Sequence, residues 1–142
     1  MRFKPVITLD DAKKMLAAGE AEAIKNNWNI VIAILDDAGI LVALHRMDGA
    51  RPGNPEIAIQ KARTSALTQR SSKVWEDWVD GGKISSTTMP FMSKRGGLPI
   101  IVEGECLGAV GVSGVASHQD EQVAMAAIAA AFPNFKTVRP GD

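Results

Sequence analysis

The chain has 142 residues, the size of one ordinary domain, with 46% hydrophobic and 23% charged residues. Sixteen Lys and Arg balance sixteen Asp and Glu, which excludes the basic excess of a dedicated nucleic-acid binder. The single cysteine, Cys106, excludes an intrachain disulfide framework and a cysteine-based zinc site. No apolar run of membrane-spanning length occurs, and residues 1–5 carry no apolar leader, so a cytoplasmic protein is expected.

Thr8 opens the first predicted helix. Its hydroxyl can cap, and Asp11 three residues on completes a capping-box pattern. Leu9, Ala12, Met15, Leu16 and Ala23 recur at helical spacing up to an end near Asn26. Residues 30–35 are apolar throughout, the pattern of a central strand covered on both faces. Residues 36–39 make a hairpin loop with Gly39 at a left-handed position, and residues 40–47 pair back antiparallel. After a Gly/Pro loop, Asn54 and Pro55 start a helix running to about Arg70. Ala58, Ala62 and Ala66 give it a small-residue stripe suited to close packing on a sheet, while Glu56, Gln60 and Arg63 lie on a polar face.

A short helix follows over residues 71–79, with Trp75 and Trp78 on one side. Residues 83–94 have no clear period and read as a loop or edge segment, a length at which irregular loops are often functional. Residues 96–114 form a second hairpin whose second strand repeats glycine at 108, 111 and 114. Strand glycines mark the close approach of something to the backbone, and the alanine stripe is a sufficient partner. Functional interest therefore moves to the hairpin's ends, at Gly96-Gly97 and from Ser113 to Asp120. Ser117 and Asp120 form a capping pattern for an alanine-rich helix ending before Pro133. The order α-β-β-α-α-β-β-α implies one α+β domain over residues 1–142, an antiparallel sheet with helices packed on it.

Chemistry-bearing residues gather at loop ends. They are Arg46 and Asp48, Glu56 and Lys61, Arg95 with Gly96 and Gly97, and Ser113 with His118 and Asp120. Each has a plain structural role to set against a functional one: a surface pair for Arg46 and Asp48, a solvated helix lysine for Lys61, a helix N-terminal charge for Asp120. His45 or His118 could ligate a haem iron, since one imidazole suffices. There is no two-histidine helical spacing and no Cys/His cluster, so no self-contained metal site is expected. Nucleophile-elbow, Walker and dinucleotide motifs are absent.

The residues that carry a family resemblance are Ile32 to Gly39, Arg46 to Ala50, Glu56-Ile57-Ala58 with Lys61-Ala62, Gly96 to Ile100, Gly108 to Gly114, and Asp120. Together they resemble the GlcG/HbpS-like family of haem-binding or haem-degrading domains. The resemblance implies a profilin-like three-layer domain with helices on both faces of the sheet. It also implies homo-oligomers from dimers to octamers, haem or corrinoid as ligand in some members, and a catabolic gene neighbourhood in others.

Three readings follow. In the first, a haem or related corrinoid lies in an apolar cleft near an oligomer interface, ligated by His45 or His118, with Arg46 or Arg95 at its propionates. In the second, the protein acts on a small organic acid. Arg46 or Arg95 and the N–H groups of Gly96 and Gly97 bind the carboxylate, and Glu56, or less favourably Lys61, moves the proton. The third is a structural oligomer without a ligand. Gly97→Ala is expected to spare folding and to harm only the ligand readings.

Overall fold

A strand with no exposed face can only sit inside a sheet, and β1 (Val31–Asp36) is buried at its first five positions. The computed structural model, which describes residues 1–142, places β1 between β2 (Leu41–Arg46) and β4 (Glu105–Ser113). With β3 (Gly97–Val102) outermost, the order is β2-β1-β4-β3, and every neighbouring pair is antiparallel.

Four helices cover the sheet. α1 (Leu9–Lys25) and α4 (Ser117–Ala131) pack on one face against Ile32, Ile34, Val110 and Val112. α2 (Asn54–Thr68) lies on the other, where Ala58, Ala62 and Ala66 meet Val31, Ala33, Leu35 and Ala109. The result is the α+β domain that the element order implied, with the three layers that the family resemblance implied. α3 (Ser72–Asp80) follows α2, and a single 3-10 turn, Ile84–Thr88, gives partial regularity to the segment expected to be a loop.

Local signals account for the element ends. Thr8 and Asp11 form the expected reciprocal capping box on α1. Gly39 adopts φ +77 in the first hairpin, where the Asp36 carboxylate accepts from the N–H groups of Ala38 and Ile40. α4 departs from expectation. Its cap is Ala116, whose N–H donates to Gln119 Oε1 at 3.1 Å, and Ser117 is already helical. Asp120 is free for another task as a result.

The glycine strand is a packing device at its centre. A Cβ on Gly111 would stand 2.0 Å from the Ala58 carbonyl oxygen and 2.7 Å from the Ala62 nitrogen. Helix α2 therefore lies with its backbone against β4, closer than any side chain allows. Opposite Ile100 and Ile101 the register shifts, and Leu107 turns into the α1–α4 core instead of the α2 face.

Candidate functional site

The close packing of α2 on β4 carries Lys61 into the interior. Ala58, Lys61, Ala62, Ser65 and Ala66 form one buried stripe, and Lys61 is only 2% exposed. The solvated lysine expected from the sequence is thus a buried one. Its ammonium donates to Val112 O and to Asp120 Oδ2, both at 2.9 Å. Asp120, also 2% exposed, uses Oδ1 to accept from the Val115 N–H at 3.1 Å. Far more than a helix N-terminal charge, it ties α4 and the turn after β4 to the far side of the sheet.

Burial pushes the Lys61 ammonium below its ordinary pKa and the Asp120 carboxyl above its own, because each charged form loses water. Their mutual attraction and hydrogen bond oppose both shifts. The pair is not sealed: both residues line a cleft of about 410 Å³ between α2, residues 92–94 and the turn after β4. Arg51, Asn54, Lys94 and Ser113 complete its polar wall. Ser113 Oγ donates to Asn54 Oδ1 at 3.3 Å.

A second cleft, of about 550 Å³, opens at the same end of the sheet beside the edge strand β2. Val31 at the start of β1 pairs with Arg46 on one side and Ser113 on the other, so the two clefts flank one strand end. Glu20, His45, Arg46, Met47 and Asp48 line the second cleft. His45 Nδ1 is engaged by the Glu20 carboxylate from α1, which leaves Nε2 without a protein partner. The His45 side chain is 55% exposed. Arg46 and Asp48 share this cleft but form no ion pair with each other.

The structure divides the remaining sequence candidates. Glu56 is exposed on α2, accepts from Gln60 at 3.0 Å, and lines neither cleft. His118 is exposed in the first turn of α4 and also lines neither. Arg95 is held by Glu121 through contacts of 2.5 and 3.3 Å, which raises its pKa further. Gly97 donates its N–H to Ser72 Oγ at 2.9 Å, so that donor is taken. A Cβ on Gly97 would lie 2.2 Å from the Lys61 carbonyl oxygen. Gly97→Ala is therefore a packing lesion, contrary to the expectation that it would spare folding. Gly96, at φ +130, packs against the Lys61 side chain.

Glu20, Arg51, Asn54 and Lys94 were not anticipated from the sequence. They come from α1, from the loop before α2 and its first turn, and from the segment before β3, and only the tertiary fold brings them to the clefts.

Residues 7–129 match the family described as "Haem degrading protein HbpS-like". Protein GlcG of Escherichia coli (strain K12) is 45% identical over 114 residues, covering 80% of this chain and 85% of that protein. The crystal structure of a PduOC–haem complex superposes with a TM-score of 0.84 at 26% identity, covering 95% of this chain and 100% of that one. The Klebsiella pneumoniae protein ORFY superposes with a TM-score of 0.86 at 28% identity, covering 96% and 97% respectively.

Proposed function

The chain belongs to the HbpS-like family, and from that premise we propose that it binds haem or a related tetrapyrrole at the His45 cleft. The observation that carries this reading is the His45–Glu20 contact beside Arg46 on the open sheet edge. A carboxylate on one imidazole nitrogen orients the ring and raises the basicity of the other, the usual support of a metal-bound histidine. His45 Nε2 would hold the haem iron. Arg46 would take a propionate as a bidentate pair. Leu44 and Met47 would give the macrocycle its apolar contact.

The other five of the seven lining residues are polar, so the cleft would offer apolar contact to one face of a haem. A second copy of the chain would cover the other face. β2 is an edge strand, and at its far end from the cleft Ile40 and Leu41 are 63% and 44% exposed. Bound haem supplies its iron's redox and ligand chemistry. The chain's own part is to bind it, orient it and cover it. The similar PduOC structure was obtained with haem, which supports the same ligand here.

Haemin titration followed by absorbance tests the reading. The expected result is a saturable Soret band that is shifted in His45→Ala and unchanged in His118→Ala. Absence of a saturable band at micromolar haemin would overturn haem binding. An identical band in His45→Ala would overturn the assigned ligand.

A further inference from the structure

The Lys61–Asp120 cleft does not take part in the haem reading, and its composition calls for a ligand of its own. A buried ammonium has three N–H donors. Val112 O and Asp120 Oδ2 accept two, leaving one in a side chain that is 2% exposed and borders the cleft. Arg51, on the same wall, makes no ion pair within the chain. Lys94 reaches only Glu76, at 3.7 Å. With Lys61 facing Asp120 and Lys94 facing Glu76, Arg51 leaves the cleft one positive charge in excess.

We propose that this cleft is a binding site for a small carboxylic acid bearing a hydroxyl or oxo group next to its carboxylate. The Arg51 fork and the third Lys61 N–H would meet the carboxylate oxygens. Ser113 and Asn54, already hydrogen-bonded to each other, offer a donor and an acceptor for the neighbouring oxygen. Ile57, Met92 and Val115 line the rest and accept a short apolar remainder. The volume of about 410 Å³ lies near the low end for ligand sites and suits a small acid, not a macrocycle. A monocarboxylate is favoured over a phosphate dianion because Arg51 is the one cation left without a carboxylate partner, and Asp120 in the same wall repels a second negative charge. The α4 N-terminus, a common phosphate seat, already holds that aspartate.

The test uses haem-free protein, so its outcome is independent of the haem reading. Lactate, its neutral analogue lactamide, and inorganic phosphate are titrated by calorimetry against wild type and Arg51→Ala. Arg51 is exposed, so the variant should melt like wild type without ligand. The expected result is saturable lactate binding, at least tenfold weaker in Arg51→Ala, with no binding of lactamide. Equal binding of lactate and lactamide, or an affinity indifferent to Arg51, would overturn the site. Phosphate binding more tightly than lactate with the same Arg51 dependence would overturn the carboxylate assignment. A failure of lactate, pyruvate and glycolate alike to bind at millimolar concentration would overturn the proposal as a whole.

Discussion

Asp120→Asn removes one charge from the buried pair and keeps the shape of the side chain. The amide offers one acceptor oxygen where Lys61 and the Val115 N–H use two, and Lys61 remains almost fully buried with no counter-charge. An ammonium so placed escapes the penalty by folding neutral. Relative to an unfolded lysine of pKa about 10.4, neutralising it at pH 7 costs about 4.6 kcal/mol. That figure is a ceiling, and it agrees with the roughly 3–5 kcal/mol seen when one partner of a buried ion pair is removed. For a chain of this length, about 3 °C is lost per kcal/mol, so the melting temperature should fall by roughly 10–14 °C at pH 7. The pH dependence follows from the direction of the shift. In the variant the folded-state pKa of Lys61 lies below the unfolded value, so the unfolded chain binds more protons between the two and stability rises with pH. At pH 9 the ceiling is about 2 kcal/mol. Urea denaturation of both proteins at pH 7 and pH 9 measures this directly. A loss below about 1 kcal/mol at pH 7, or one that does not shrink by pH 9, would refute the account of the pair.

The double variant Lys61→Met with Asp120→Leu should be far less damaging than either single charge removal, since an apolar replacement of a buried pair is often neutral or stabilising. Thermal denaturation of the three proteins checks it. Gly97→Ala should destabilise by about 1–3 kcal/mol through overpacking against the α2 backbone, and circular-dichroism melting would show it. Gly111→Val, whose first added atom would lie 2.0 Å from Ala58 O, should do so more severely and reduce soluble yield. Thr8→Ala should cost about 1 kcal/mol by removing the α1 cap, read as a lower urea midpoint at unchanged slope.

The sequence showed the layers clearly because burial has a period. The continuous apolar run of β1 meant a strand covered twice, and the alanine stripe of α2 against the glycines of β4 meant close contact. Both are properties of neighbours along the chain. Lys61 shows how a readable signal is missed. It stands three residues after Ala58 and one before Ala62, inside the stripe itself, so the spacing already placed it on the buried face. Its residue type argued for solvent, and the buried Asp120 that makes its position tolerable lies 59 residues away. Arg95 and Gly97 erred the other way. Their free donors seemed available until Glu121 and Ser72, from α4 and α3, were found to occupy them. Partners at long sequence distance leave no periodic trace, so Glu20 beside His45 could not be read from the chain.

The haem reading stands on one coordinate bond, from His45 to iron, and chemical rescue tests that bond most directly. His45→Gly removes the imidazole from the exposed edge of the sheet, where truncation disturbs little of the core. The variant is loaded with haemin and its absorbance recorded with and without added imidazole. The account predicts that the variant loses the wild-type Soret position and regains it as imidazole fills the vacated site. A wild-type spectrum in His45→Gly before imidazole is added would contradict it.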